Sequence, residues 1–191
     1  MDVSNATLTI PFVPSGQGGL FYNLQLGPKS LLGAELLFTQ IEGKEKLEMD
    51  LYTLNESGRV YLGYRKDNLY RHISYLSLPV YCGFKINRLM INAGFQISYS
   101  ISSSGREKGE GVIEGENIKI NIKTNDINIK RFDYGPRVGI IYSLTDKIAI
   151  ETTYYYGLNN IQKGDPKFGK LKVQLVTLGI RYRLWKTEAT K

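Results

Sequence analysis

The chain has 191 residues, a length suited to one domain, with 25 Lys and Arg against 18 Asp and Glu, a formal charge of +7, 20 Gly and 14 Tyr. Its one Cys forbids an intrachain disulfide, and with one His it offers no metal-ligand cluster. Mean hydropathy is -0.24 and no run of 18 apolar residues occurs. That excludes a transmembrane helix but not a transmembrane β-barrel, whose strands need only every second residue apolar.

Residues 1–16 show no basic stretch leading into an apolar one, so the signal of an exported protein is expected to have been removed or to lie before this start. The first segment that alternates with period two, 7–12, is short for a bilayer. The next, 19–26, places Leu20, Tyr22, Leu24 and Leu26 on one face. After the short Gly27-Pro28-Lys29 link, 31–40 repeats the pattern with Leu32, Ala34, Leu36 and Phe38, and sends Gly33 and Glu35 to the other face. Segment 41–72 reads as a hairpin around Asn55-Glu56-Ser57-Gly58, between Met49, Leu51 and Thr53 and Val60, Leu62 and Tyr64. Lys44, Glu45, Lys46, Glu48 and Asp50 leave it little apolar length, so it is expected to extend a barrel rather than raise the strand number from eight to ten.

Segment 73–86 carries Leu76, Leu78, Val80, Cys82, Phe84 and Ile86 on its apolar face, where Cys82 acts as a small hydrophobe. After Asn87-Arg88, 89–102 gives the clearest alternation: Leu89, Ile91, Ala93, Phe95, Ile97, Tyr99 and Ile101 against Asn92, Gly94, Gln96, Ser98 and Ser100. A helix would scatter both sets around its circumference, whereas a strand sorts them. The long stretch 103–130 alternates Ile118, Ile120 and Ile122 with Lys119, Asn121 and Lys123, which predicts a β-extension or a flap. Three more segments follow: 131–144, 148–159 after Thr145-Asp146-Lys147, and 175–184. Their apolar faces hold Phe132 to Tyr142, Ile148 to Leu158 and Val176 to Leu184 in steps of two, with no charge among them.

Eight such segments, joined alternately by short and long connections, predict an all-β fold. The expected fold is an eight-stranded antiparallel up-and-down transmembrane β-barrel with short periplasmic turns and long extracellular loops. A single domain, 1–191, is expected, with strands within 7–185 and a tail at 186–191. Aromatic residues at the strand ends predict two interfacial belts. Tyr22, Phe38, Tyr99, Phe132, Tyr134, Tyr154 and Tyr156 lie toward the long loops; Phe84, Tyr142, Tyr182 and Trp185 lie toward the short turns. The opposite face collects Glu35, Asp133, Arg137, Glu151, Arg181 and Arg183 between small residues, which predicts an ionic network filling a narrow lumen.

Basic residues interleave with acidic ones in the long connections and form no compact nucleic-acid surface, so membrane lipids and lipopolysaccharide are the expected partners, through Lys119, Lys123 and Lys130 among others. No cofactor is expected. A soluble barrel of the lipocalin type would need the reverse dressing, apolar within and polar without. Hydrolytic chemistry would have to use His72, and no Ser in a nucleophile motif accompanies it. A narrow pore is the remaining alternative.

The strings Tyr75-Leu76-Ser77-Leu78-Pro79-Val80, Ile91-Asn92-Ala93-Gly94-Phe95, Phe132-Asp133-Tyr134-Gly135, Tyr154-Tyr155-Tyr156-Gly157-Leu158-Asn159-Asn160-Ile161 and Leu178-Gly179-Ile180-Arg181-Tyr182-Arg183-Leu184 resemble the PorT-like outer-membrane β-barrel family of Bacteroidetes. The resemblance covers residues 19–185 and implies an eight-stranded barrel of the bacterial outer membrane and cell envelope, without catalytic residues. One member of that family takes part in protein secretion across the outer membrane, so envelope or secretion proteins are implied partners. This chain departs from the pattern in its short first strand and in Lys186 to Lys191 beyond Trp185.

Overall fold

The computed structural model describes residues 2–9, 15–55, 58–125, 127, 129–161 and 172–184. In chain order the strands are β1 (Asp2–Thr9), β2 (Gly16–Gln25), β3 (Ser30–Asn55), β4 (Gly58–Ile86), β5 (Leu89–Ile113), β6 (Glu116–Thr124), β7 (Phe132–Ser143), β8 (Ile148–Tyr156) and β9 (Gln174–Tyr182). Eight of them answer to the eight expected segments, although β1 overlaps the first only at 7–9 and pairs with β3 instead of β2, and β6 arises inside the 103–130 connection. The 41–72 hairpin is the continuation of β3 and β4 and not a further pair of strands, while its turn at 56–57 lies outside the described residues. So do residues 10–12 of the expected first segment, Trp185 and the 186–191 tail.

Two compact units divide the chain, and β3, β4 and β5 each contribute to both. The apolar unit comprises residues 17–39, 75–101 and 128–191, and the charged unit comprises 1–16, 40–74 and 102–127.

In the apolar unit the strands follow the order β2-β3-β4-β5-β7-β8-β9, so each pairs with its sequence neighbour once the β6 excursion is set aside. Register places Asn92 opposite Gly139, Gly94 opposite Arg137 and Ser98 opposite Asp133 on one face, with Ala93 opposite Val138 and Phe95 opposite Pro136 on the other. Because the side-chain period of a strand is two, this register keeps every apolar series on one side. Asn87, at φ 53°, makes the two-residue turn between β4 and β5, a left-handed conformation that Asn tolerates better than most residues.

Burial follows the parity that the sequence predicts. Ile97, Val138 and Ile140 are 51%, 50% and 51% exposed, whereas Asn92, Asp133 and Arg137 are 2%, 1% and 3% exposed. Large apolar side chains outside with ionic groups inside is the inverse of a water-soluble barrel, and a continuous apolar exterior of this kind needs lipid around it. A lipocalin-type carrier would present the opposite arrangement.

The inner face packs by matching large groups to small ones. Tyr81 of β4 lies over Gly33 of β3 and Gly94 of β5: a Cβ at Gly94 would meet the Tyr81 Cβ at 2.6 Å, and one at Gly33 would fall on the Tyr81 ring. Leu31, Tyr81, Met90 and Ile141 make a small apolar cluster beside Ala149.

The first and last strands of this unit meet through side chains. Arg181 of β9 stacks over the Phe21 ring of β2 at 4.9 Å and also reaches β3 and β4. Among the described residues no ladder joins β2 to β9. Their outward residues accordingly have a neighbour on one side only: Leu20, Leu178 and Ile180 are 69%, 78% and 79% exposed.

In the charged unit β1 pairs antiparallel with β3, from Asp2 opposite Tyr52 to Thr9 opposite Lys46. Strands β5 and β6 form a hairpin that closes at Glu114 and Gly115, both with positive φ. The expected β-extension of the 103–130 connection is therefore this hairpin. Leu51 and Ile73 are buried, and the Tyr52 and Tyr61 rings meet edge to face at 5.4 Å.

Candidate functional site

The inner face of the apolar unit gathers four of the six ionic residues that the sequence singles out. Glu35 on β3, Arg137 on β7, Glu151 on β8 and Arg181 on β9 share inward parity, and their side chains meet in ion pairs that link β3 to β7 and β9. Arg181 donates from Nε to Glu151 Oε2 at 2.6 Å and from Nη2 to Glu151 Oε1 at 2.8 Å, a two-pronged clasp of one carboxylate. Its Nη2 also binds Glu35 Oε1, and its Nη1 donates to Tyr81 Oη at 3.0 Å. Tyr81 in turn donates to Asn23 Oδ1 on β2 at 3.1 Å.

Arg137 completes the quartet. Its Nη2 donates to Glu151 Oε1 at 3.2 Å, and its Nη1 sits 2.9 Å from Glu35 Oε2. The Nη1 contact lacks hydrogen-bond alignment and is a charge pairing. Two carboxylates thus offset two guanidiniums, and the Tyr81 ring lies 5.8 Å from Arg137 and 5.9 Å from Arg181. Desolvating such charges costs several kcal/mol per ion, so they persist only while each keeps its partners.

Asp133 and Arg183 stand apart from this quartet. Asp133 accepts from Tyr155 Oη at 2.9 Å and from the Tyr134 amide at 2.9 Å, two inward positions along β7 from Arg137. Arg183 is exposed at the short-turn end, where its amide donates to Lys147 O at 2.8 Å and its side chain lines a shallow hollow with Lys85, Arg88 and Asp146. Tyr81 and Asn23 belong to the network although neither is charged. A Tyr at inward parity between glycines of both neighbouring strands is the sequence signal that points to it.

Asn92, with 2% exposure, leaves both amide atoms without a protein partner between Gly139 and Thr153. A buried amide of this kind is ordinarily satisfied by internal water.

The described aromatic residues at the strand ends singled out by the sequence take outward positions. Tyr99 and Phe132 meet edge to face at 4.9 Å, Phe95 and Tyr134 stack at 6.1 Å, and Arg131 donates to Tyr99 Oη at 3.1 Å. Tyr22, Phe38 and Tyr154 are exposed and Tyr156 is half-buried with the Lys172 ammonium 5.2 Å from its ring. At the opposite strand ends Phe84, Tyr142 and Tyr182 are exposed. Cys82 is exposed on the same apolar face.

In the charged unit four carboxylates pair with Arg or Lys: Asp67 and Glu107 bind Arg65 at 2.8 and 2.5 Å, Glu45 binds Arg71 at 3.2 Å, and Glu48 binds Lys66 at 3.5 Å. His72 lies 3.8 Å from Glu42 and both are exposed. No group of three His, Cys, Asp or Glu that could hold a metal ion occurs among the described residues.

The family model of an outer membrane protein beta-barrel domain matches residues 13–163. No curated protein and no solved structure matches the chain. The matched stretch contains strands β2 to β8, among them those that carry Glu35, Arg137 and Glu151, and β9 with Arg181 follows it. The chain therefore belongs to the outer membrane protein beta-barrel domain family, and it is an integral protein of the bacterial outer membrane.

Proposed function

We propose that this protein is a non-enzymatic barrel of the PorT-like kind that serves as a scaffold in an envelope or secretion complex, binding through its long-loop side and through lipopolysaccharide. The observation that carries this reading is the quartet of Glu35, Arg137, Glu151 and Arg181, which fills the inner face with paired charge where a pore would need open water. A filled interior leaves the loops as the surface available for work. The hairpin of β5 and β6 and the long extension of β3 and β4 supply that surface, with basic residues at Lys119 and Lys123 in the hairpin and Lys130 after it.

The test compares the full chain with one lacking residues 106–123, both extracted from outer membranes in mild detergent. Both are expected to change electrophoretic mobility on heating, as folded barrels do, and only the full chain is expected to migrate within a larger assembly on a native gel. In planar bilayers neither should give unitary conductance steps. Equal migration of the two chains, steady single-channel currents from the full chain, or loss of lipid hydrolysis or acyl transfer on His72→Ala would each contradict the proposal.

A further inference from the structure

We propose that one face of the charged unit, centred on Tyr70, is a binding site for the phosphate groups of a membrane glycolipid such as lipid A. The inference rests on the reading of the chain as a lipopolysaccharide-binding barrel and assigns that binding to particular residues. Lys44 of β3 and Lys108 of β5 both direct their ammonium groups at the Tyr70 ring, at 5.3 and 5.9 Å from its centroid. Lys46 follows Lys44 two residues along its strand, and Arg106 precedes Lys108 in the same way, so each pair shares a face. Across the β5–β6 ladder Arg106 stands opposite Lys123, and Lys108 opposite Asn121, to which Arg106 donates from Nε at 3.1 Å.

Five cations therefore spread over three strands around one exposed tyrosine, with amides and no carboxylate between them. The nearest carboxylates on this face lie at its margins: Glu42 faces His72, Glu48 pairs with Lys66, and Glu110 stands opposite Lys119. Arg65 and Arg71 are engaged elsewhere, with Asp67, Glu107 and Glu45. Lys44, Lys46, Lys108 and Lys123 make no ion pair with another described residue. Like charges at adjacent positions of a sheet repel, and the contacts with the Tyr70 ring offset only part of that. A bound polyanion removes the rest.

The layout identifies the anion as one carried on a lipid. The cations from β3 to β6 span three interstrand gaps, roughly 14 Å at about 4.8 Å each, which suits several phosphates spread over a headgroup better than a single ion. They lie on a flat ladder and line no pocket, so a lone phosphate would meet water on most sides. In sequence, Lys44 follows Phe38 by six residues in the same even-numbered series of β3, on the long-loop side of that aromatic position.

The test measures binding of bisphosphorylated lipid A to the full chain in detergent micelles by native mass spectrometry. The triple variant Lys44→Gln, Lys108→Gln, Lys123→Gln is expected to bind at least tenfold more weakly, and lipid A stripped of its phosphates is expected to bind wild type as weakly as that. The control variant Lys85→Gln, Lys147→Gln, at the short-turn end, is expected to bind like wild type. Three results would overturn the proposal: unchanged binding by the triple variant, an equal loss in the control variant, or displacement of lipid A by inorganic pyrophosphate at matching concentration. The heat-dependent mobility shift is measured on every sample, so failure of this site with the shift intact refutes the site alone, whereas loss of the shift in wild type refutes the barrel reading.

Discussion

Replacing Glu35 by Ala is expected to destabilise the folded protein by about 3–5 kcal/mol, the range for removing one member of a buried ion pair. The mechanism is specific to the quartet. Glu35 is 3% exposed and serves both arginines, so its loss leaves Arg137 and Arg181 to share Glu151 alone, with one guanidinium charge unbalanced inside the sheet. Urea unfolding from lipid vesicles reads the change. The double variant Glu35→Leu, Arg181→Met is expected to recover roughly half of the loss or more, because it restores neutrality and fills the space with apolar volume, keeping Arg137 with Glu151. If Glu35→Ala costs no more than a surface substitution, the quartet contributes nothing to folding and the filled interior is only apparent.

Ile140→Arg carries the second large effect. Ile140 sits in mid-β7 opposite Ile91, facing outward with 51% exposure, and a cation placed there in lipid costs about 2–4 kcal/mol. Ile122 of β6 is exposed to almost the same degree, 53%, yet it belongs to the charged unit, in the β5–β6 hairpin where Lys119 and Lys123 alternate with the isoleucines. Ile122→Arg is therefore expected to change stability by no more than about 0.5 kcal/mol, as for an ordinary surface site. The same unfolding measurement compares the two. Equal effects at both positions would mean that exposure to solvent, and not to lipid, governs the outer face.

The spanning strands were legible because period two is a strong constraint: a one-residue slip would have turned Ile91, Phe95, Val138 and Ile140 inward. The same parity placed Glu35, Arg137, Glu151 and Arg181 on a common side. It could not say how far along the axis each one falls, and depth is what separates Arg183, at the short-turn end, and Asp133, held by Tyr155, from the quartet. Depth depends on register and strand tilt, which come from ladder geometry and not from local pattern. The Tyr81 hub was hidden for a different reason. Its phenol counts as an apolar residue in any alternation, and its role emerges only when Gly33 and Gly94 are brought to either side of it. The length of β3 and β4 was legible in outline: Lys44 to Asp50 interrupt the apolar face, yet alternation on both sides of Asn55 to Gly58 predicts the hairpin that continues both strands.

The basic face around Tyr70 shows the same limit. Alternation predicts that Lys44 and Lys46 share one side of their strand, and that Arg106 and Lys108 share one side of theirs. Only the meeting of both pairs at a single ring reveals a cluster.

The single cysteine offers the most direct test of which face meets the membrane. Cys82 lies on the outward series of β4 between Val80 and Phe84. With a nitroxide attached there in the full chain reconstituted into phospholipid vesicles, power saturation is expected to show strong relaxation by oxygen, which partitions into acyl chains, and weak relaxation by a water-soluble nickel chelate. Access by the nickel chelate that exceeds access by oxygen would put this surface in water and contradict the account at its root.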